Sequence, residues 1–406
     1  MNSQLLSLNI EDSLVELIEQ VFLIQDTTWG DDKQGYFVRY RGSLRLDSML
    51  AYDKLTVTLK QYNLMPLFRV EGDSQIIILV KRKSESKPSN PLINLILFIV
   101  TVLSVIFAGT LYSYQGPEFN NNFIALMKYI LFHLDTGLSF AVSLMAILLA
   151  HEFGHYFVGR KNNADVSLPY YIPFPFSPFG TMGAFINMKS PPKNRRALLE
   201  IGIAGPLAGL AVAIPVLLIG LSLSSVHPLP GTLEPGRALS LEGNSLLYLL
   251  LKYIAFGKLL PEPSTFGNIP PLLYWIRYYF LGIPLPIGGI DVNLNGIAWA
   301  GWAGLLVTSL NLIPAGQLDG GHILYVLLGN NTRKVYPIIV SLLVMMGFVW
   351  SGWWLWAFLL FLLGRTYAEP LDQITQLDTS HKLLAVFGLV IFIFVFIPVP
   401  LIVIGG

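Results

Sequence analysis

The residues best suited to chemistry lie in the stretch HEFGH, which begins at His151 and ends at His155. On a helix, residues four apart share one face, so both imidazoles can reach a single ion. Glu152 lies beside them, where a carboxylate can take a proton from a water on that ion. About 0.003 such matches are expected by chance in this composition, and histidines that cap a helix near a membrane interface are the competing interpretation. The motif therefore predicts a zinc-dependent hydrolase.

A catalytic zinc site usually has three protein ligands and a water, so the two imidazoles need a partner. Asp165 is the only carboxylate that follows HEFGH closely. Asp319, in NLIPAGQLDGGH, is the better candidate, because it follows another apolar stretch and a break in helical structure predicted at Pro314 and Gly316. We predict that Asp319 is the third ligand and that each chain binds one zinc ion.

The composition around these residues is that of a membrane protein. Of 406 residues, 53% are hydrophobic and only 13% are charged, and the mean hydropathy is +0.59. Soluble domains are about 25% charged. A net charge of +1 gives no reason to expect nucleic acid, and the absence of cysteine excludes disulfides and thiolate ligands. The expected partners are therefore the lipid bilayer and other membrane proteins.

The chain divides into a mixed N-terminal part and an apolar remainder. Residues 1–87 combine charged and apolar residues as soluble domains do. Their patterns predict a helix at 11–22, a strand in YFVRYRGSLRL, a helix in DSMLAYDKLTVTLKQYN and a hairpin that turns between Glu71 and Asp73. The polar linker KRKSESKPSNP leads into residues 88–406. We predict a small α+β soluble domain followed by a polytopic α-helical membrane domain.

The apolar stretches predict about seven transmembrane helices, since about 20 residues cross a bilayer. They are expected near 92–113, 138–159, 198–223, 296–314, 336–350, 353–364 and 383–404. The two stretches within 336–364 are short, and a shallow hairpin is the alternative for them. LLYLLLKYIAF and PPLLYWIRYYFLGIPL are interpreted as interfacial segments. Clusters of Lys and Arg fall on one side if the spans alternate, so the N-terminal domain is expected in the cytoplasm.

Two motifs on separate apolar segments resemble those of the site-2 protease family of intramembrane zinc metalloproteases. They are HEFGH and N-x-x-P-x-x-x-L-D-G, here Asn311, Pro314 and Leu318-Asp319-Gly320. AGPLAG, which ends at Gly209, is similar to that family's third core helix, and the resemblance covers about residues 92–365. The N-terminal domain, the absence of an inserted PDZ-like domain and the extra C-terminal spans resemble its cyanobacterial and plastid branch. That branch includes plant proteins named for ethylene-dependent gravitropism-deficient and yellow-green mutants.

The resemblance implies a role for each site residue. His151, His155 and Asp319 would bind zinc, and Glu152 would be the general base. Asn311 would donate to the developing oxyanion, although a hydrogen bond to a neighbouring helix is an equally weighted alternative. His322 is a further candidate ligand. We favour His322 as a residue that contacts a ligand or lies at the membrane interface, because four protein ligands leave no room for water.

The segment SPFGTMGAFINMKSPPKNRR resembles the family's membrane-associated strands beside the active site. A substrate helix must be unwound before cleavage, and the extended chain can then pair with a strand edge. Gly180, Gly183, Ile186 and Asn187 are the predicted substrate-binding residues. An ordinary loop on the membrane surface is the alternative.

The resemblance implies an intramembrane metalloendopeptidase that cleaves transmembrane segments of membrane-tethered proteins, as in regulated intramembrane proteolysis. A proteolytically silent membrane chaperone or assembly factor of the same fold is the alternative. A metal transporter would spread ionisable residues over several spans, whereas here they gather at one depth. The acidic N-terminus does not resemble a transit peptide. We therefore expect a bacterial cell, with a cyanobacterial or other bacterial plasma or thylakoid membrane as the location.

Overall fold

The computed structural model describes residues 2–31, 33–82, 90–114, 123–232, 239–364 and 367–404. Its first part is a four-stranded antiparallel sheet in the order β1-β2-β4-β3, with two helices packed against it. The elements are α1 (Asn2–Glu19), β1 (Phe22–Trp29), β2 (Val38–Leu44), α2 (Ser48–Leu59), β3 (Leu64–Glu71) and β4 (Ser74–Lys81). Leu14, Ile18 and Leu55 from the helices bury fully against Tyr40 and Phe68 from the strands. We call this part the N-terminal sheet.

The sequence patterns give most of the N-terminal sheet but miss its first strand. The helix expected at 11–22 ends at Glu19, and Phe22 instead begins β1. In β1 only Phe22 is fully buried, so the strand carries no alternation of apolar and polar residues that would signal it. The strand in YFVRYRGSLRL, the second helix and the hairpin after Glu71 all form.

Three of the described helices are long and apolar enough to cross a membrane. They are α3 (Pro91–Tyr112), α5 (Leu138–Lys161), which one preceding turn extends back to Leu134, and α6 (Arg195–Ser222). A short apolar helix, α4 (Phe123–Phe132), precedes α5, and the hairpin β5 (Tyr170–Pro173) and β6 (Thr181–Phe185) lies between α5 and α6. The expectation of about seven spans remains a prediction.

A close-packed bundle of α5, α6 and α9 (Gly296–Asn311) forms the centre of the apolar core. Glycines make the close approach possible. A Cβ at Gly220 would overlap the backbone of Ala298 on α9, and one at Gly304 would press on Ile147 of α5. The small residues therefore bring the three helices together at backbone distance, and this fixes the places of the side chains between them.

Residues 224–295 contain short elements. They are β7 (Ser225–Pro228), β8 (Leu239–Glu242), α7 (Leu246–Phe256), α8 (Pro271–Leu281) and β9 (Ile290–Asn293). β7 pairs with β9, and β8 pairs with a strand from the C-terminus of the chain. The two stretches interpreted as interfacial are α7 and α8, which at 11 residues each are too short to cross a bilayer.

The C-terminal part differs from the expectation at its last span. It contains α10 (Asp319–Leu328), α11 (Thr332–Met346), α12 (Gly352–Leu363), α13 (Thr379–Val395) and β10 (Leu401–Ile404). A span reaching residue 404 is wrong, because α13 ends at Val395 and β10 instead pairs with β8. Pro398 and Pro400 follow the end of the helix. Proline has no backbone N–H, so it cannot donate the hydrogen bond that would continue the helix.

Candidate metal centre

The C-terminal half of α5 supplies the first two candidate ligands. His151 and His155 lie one turn apart on α5 and are both buried, with 3% and 6% of their surface exposed. Their Nε2 atoms face each other at 3.2 Å. Neutral imidazole nitrogens are metal ligands, so two ring nitrogens at this distance can bind one cation.

Asp319 completes the group from a different part of the chain. α9 ends at Asn311, a non-helical connection that contains Pro314 and Gly316 follows, and Asp319 is the first residue of α10. Its Oδ2 atom lies 3.3 Å from Nε2 of His151 and 3.3 Å from Nε2 of His155. Among the residues described, His151, His155 and Asp319 are the His and carboxylate group found with metal-binding spacing.

The spacing of the three atoms fits a zinc ion. A tetrahedral site with bonds of about 2.0 Å has ligand atoms about 3.3 Å apart. The three separations here are 3.2, 3.3 and 3.3 Å, so the atoms form one face of such a tetrahedron. Two nitrogens and one carboxylate oxygen are also a donor set of the kind found in zinc hydrolases. The residues present therefore fit zinc and leave a fourth position without a protein ligand.

One backbone contact prepares His155 for this role. Its Nδ1 lies 2.7 Å from the carbonyl oxygen of Ile201 on α6. A carbonyl only accepts, so Nδ1 must carry the proton, and Nε2 keeps its lone pair towards the group of ligands. The carbonyl contact fixes both the tautomer and the orientation of the ring.

Two glycines of AGPLAG let α6 pass directly over the two histidines. A Cβ at Gly205 would overlap the imidazole of His155, and one at Gly209 would lie 3.2 Å from Nδ1 of His151. The glycines are four residues apart, like the histidines that they cover. Gly154 makes the reverse contact, since a Cβ there would collide with the carbonyl of Ala204. These matched spacings are a sequence signal that an analysis of ligand motifs alone misses.

Glu152 lies on the same turn but outside the ligand group. It is 4% exposed and, with the two histidines and Asp319, lines a cavity of about 700 Å³. Residues 190–192, at the end of the segment predicted to lie beside the active site, form another part of the wall. Residues 367–369 after α12 also line the cavity, and the sequence analysis did not single them out. The carboxylate is thus within the space where a substrate would meet a metal, which is the place required of a general base.

Asn311 and His322 also line this cavity. The amide nitrogen of Asn311, at the end of α9, is 3.3 Å from Nε2 of His151 on α5. Asn311 therefore contacts a neighbouring helix at one of the candidate metal ligands. His322 is buried, and its Nδ1 has no hydrogen-bond partner among the described residues. His322 is not part of the metal-spaced group found among the described residues, and its role remains a prediction.

The four predicted substrate-binding residues divide into two kinds. Ile186 and Asn187 line the cavity together with Ala184, Phe185 and Met188. Gly180 and Gly183 do not line it.

The two glycines instead shape the hairpin. Gly180 has a φ of +73° and lies against the backbone of α3, where its carbonyl accepts a bond from Ser104. Gly183 has a φ of +92° and bends β6, with its amide bonded to the Thr181 hydroxyl. Both positions need a left-handed backbone, which glycine adopts without strain.

The nearby carboxylate Asp165 is not in the ligand group. Its backbone carbonyl accepts a hydrogen bond from the amide of Lys189, which holds the segment after β6 beside the segment before β5. The carboxylate that reaches the two imidazoles therefore comes from the start of α10, at Asp319, and not from the residues soon after HEFGH.

Comparisons with known proteins identify the family of the chain. The model of peptidase family M50 matches residues 139–351, which include both motifs. No solved structure matches the chain. EGY2 of Oryza sativa subsp. indica, named a probable chloroplastic zinc metalloprotease, is 25% identical over 404 residues, covering 97% of this chain and 68% of the relative.

Two proteins of Arabidopsis thaliana with the same kind of name are similarly related. EGY2 is 26% identical over 370 residues, covering 89% of this chain and 60% of the relative. EGY1 is 25% identical over 430 residues, covering 96% of this chain and 72% of the relative. The chain thus spans 60 to 72% of the length of these relatives. It belongs to peptidase family M50, the site-2 protease family of membrane zinc metalloproteases.

Proposed function

We propose that this chain is an intramembrane zinc endopeptidase that cleaves transmembrane segments of membrane-tethered proteins, as in regulated intramembrane proteolysis. The observation that carries the proposal is the tetrahedral spacing of His151, His155 and Asp319 beside Glu152, in a cavity that a strand-like segment also lines. A site of this kind needs metal ligands, a base and a place for an extended peptide, and residues that could provide each of them line the cavity.

In this proposal each side chain has a defined task. His151, His155 and Asp319 would hold zinc, which would supply Lewis acidity and would make water a nucleophile near neutral pH. The Glu152 carboxylate accepts the proton of the attacking water and passes it to the leaving amine, a contribution of about 10²–10⁴-fold. The Asn311 amide donates to the oxygen of the scissile carbonyl as negative charge develops there.

The segment after β6 is proposed to hold the substrate. The amide of Asn187 bonds the Ser167 hydroxyl, and its carbonyl accepts from the Ser167 amide, so both groups point away from the open edge. Backbone groups alternate along an extended chain, so those of Ile186 and Met188 point the other way. An unwound substrate could pair with that edge and reach the metal centre.

We also propose an arrangement in the membrane. About seven spans, a soluble domain at residues 1–87 and a membrane domain at 88–406 remain our assignment. Arg160 and Lys161 end α5, and Arg195 and Arg196 begin α6, on the side of the metal centre. By the positive-inside rule this side, with the N-terminal sheet, is cytoplasmic. The partners are lipids and membrane proteins with transmembrane helices, and the membrane is a bacterial plasma or thylakoid membrane.

The Glu152→Gln variant tests the proposal. Glutamine keeps the size of the side chain and its hydrogen bonds but cannot accept the proton of water. Zinc content and folding should stay as they are, while cleavage of a model transmembrane peptide by purified protein should fall by about 100-fold or more.

Glu200→Gln is the matched control. That glutamate also faces α5, where it accepts a bond from Asn162, but it does not line the metal cavity. Full cleavage by zinc-loaded Glu152→Gln would refute the mechanism. A wild-type protein that binds zinc but leaves every transmembrane peptide intact would favour the silent chaperone instead.

A further inference from the structure

A short segment after α12 joins the N-terminal sheet to the rest of the chain. β3 lies at the edge of that sheet, and residues 371–373 pair with it in parallel. The Phe68 amide donates to the Leu371 carbonyl at 2.9 Å, and the Gln373 amide donates to the Phe68 carbonyl at 3.1 Å. The segment therefore adds one parallel bridge, with two hydrogen bonds, to the edge of the sheet.

The other edge of the same segment bonds to the residues just before α6. The Leu371 amide donates to the Pro192 carbonyl at 3.0 Å, and the Asp372 amide donates to the Lys193 carbonyl at 2.8 Å. Residues 190–192 and 367–369, which border these contacts, form part of the wall of the metal cavity. This ladder of backbone hydrogen bonds thus connects β3, through residues 371–373, to Pro192 in the first part of the wall, and residues 367–369, the second part, lead along the chain into the same segment. We call these two parts of the wall the cavity mouth.

Side chains strengthen this ladder. Nη1 of Arg69 donates to the carbonyls of Phe68, Pro370 and Leu371 at 2.9, 3.1 and 2.9 Å. Asp372 is fully buried and accepts bonds from the amides of Ile374 and Thr375 and from the Thr375 hydroxyl.

Two further contacts join the N-terminal sheet to the same neighbourhood. The Ser48 hydroxyl at the start of α2 lies 2.8 Å from that of Thr375, and Asp53 pairs with Lys193 at 2.6 Å. The Ser48 and Thr375 hydroxyls are buried, so the contact is protected from competing water.

We propose that β3 and Arg69 position the cavity mouth for substrate, so that the N-terminal sheet sets substrate affinity and not the rate of the chemical step. The inference rests on the proposed protease function. The metal ligands are held by α5, α6 and α10, whereas the mouth is held through the ladder from β3. Arg69 is therefore a positioning residue, and its loss should change KM while leaving kcat as it is.

The test replaces Arg69 by Met, which keeps length and apolar volume but removes all three bonds. Hydrogen bonds from a charged donor typically contribute about 1.5–3 kcal/mol, so KM for a transmembrane peptide should rise about tenfold or more. Zinc content and kcat should not change. Arg39→Met is the matched control, because Arg39 is in the same sheet but pairs with the exposed Glu71.

A rescue experiment separates positioning from general damage to the fold. The chain has no cysteine, so Ser48→Cys with Thr375→Cys introduces the sole thiols, at a pair of side chains within disulfide reach. In the Arg69→Met background, oxidation should return KM to within about twofold of the cross-linked chain that retains Arg69, and reduction should raise it again.

Fluorescence anisotropy measures the affinity for the same peptide in the Glu152→Gln background, with and without Arg69→Met. This comparison reports on the cavity mouth in the absence of hydrolysis. An unchanged KM in folded Arg69→Met, a fall in kcat or zinc content, or failure of the disulfide to restore KM would each overturn the inference. If the wild type binds the peptide but does not cleave it, the proposed function fails, and the anisotropy comparison still decides the role of Arg69. If the wild type does not bind the peptide, both proposals fall.

Discussion

Two buried groups of ionisable side chains in this molecule solve the same electrostatic problem in different ways. At the metal centre, three candidate ligand atoms of His151, His155 and Asp319 converge, and no lysine or arginine among the described residues is paired with them. In the region 224–295, Nζ of Lys252 is fully buried and lies 2.9 Å from Glu242 and 3.7 Å from Asp291. The metal centre needs a cation from outside the protein, whereas the second group contains its own cation, the Lys252 ammonium.

The surroundings of the two groups follow from this difference. The metal centre opens into a cavity of about 700 Å³ and leaves a fourth position for water. The Lys252 ammonium also donates to the Leu260 carbonyl, and the Tyr248 hydroxyl donates to Glu242, so protein groups surround the cation. Buried charges need a partner of opposite charge and hydrogen bonds, and around Lys252 the protein provides the counter-charges, whereas at the metal centre a ligand must provide one.

The largest expected effect comes from breaking the metal centre at Asp319. Asp319→Asn removes the charged oxygen that faces both imidazoles, and zinc affinity should fall by more than about 100-fold, since even outer partners of a metal ligand contribute 10–100-fold. Cleavage should be lost with the metal. Zinc per chain, measured by elemental analysis beside cleavage, checks this, with Asp165→Asn as control. A variant with full zinc and activity would remove Asp319 from the site.

The next effect concerns the group that carries its own cation. Lys252→Met leaves the buried Glu242 carboxylate, with Asp291 beside it, without a counter-charge, which should cost about 3–5 kcal/mol of unfolding free energy. Lys258→Met is the control, because that lysine is exposed and its pair with Glu262 is a surface pair. Thermal unfolding in detergent measures both variants. Equal stability of the two would mean that the buried pairing contributes nothing.

A smaller effect is the pH dependence of the same group. Burial, together with nearby Glu242, raises the pKa of Asp291 to about 7, although Lys252 acts to lower it. The folded state then holds a proton that the unfolded state releases, so stability should rise as pH falls from about 7 towards 4.

Asp291→Asn should remove this contribution and flatten the curve between pH 5 and 8. Melting temperatures of both proteins across that range provide the comparison. An identical slope in wild type and variant would assign the pH dependence to other groups.

The smallest expected effect tests the open side of the metal cavity. Ile186→Pro removes an amide that we assign to substrate pairing, so cleavage should fall by about fivefold, the value of one hydrogen bond, with zinc retained. Asn187→Pro is the matched variant, because it removes an amide already bonded to Ser167 and should act mainly on stability. Unchanged turnover in folded Ile186→Pro would exclude strand pairing at this edge.

The two buried groups also differ in how far the sequence predicts them. HEFGH and the LDG that follows the break in helical structure have fixed local spacings, so the three candidate ligands could be selected from the sequence alone. Lys252 lies in a stretch interpreted as interfacial, and its partners come from β8 and β9, which no periodicity connects with α7. Pairing between distant segments is decided by tertiary packing, which also forms β1 where the sequence shows no alternation. The early end of α13 is different, because Pro398 and Pro400 are a local signal that the sequence does carry.

The most direct test of the account is X-ray absorption at the zinc edge on the purified chain, with zinc counted per chain. The account predicts one zinc ion per chain, with two imidazole nitrogens from His151 and His155 and oxygen ligands at about 2.0–2.1 Å. A third imidazole would bring His322 into the site and close the position proposed for water. A chain that binds no zinc, or holds it without two imidazoles, would contradict the central claim.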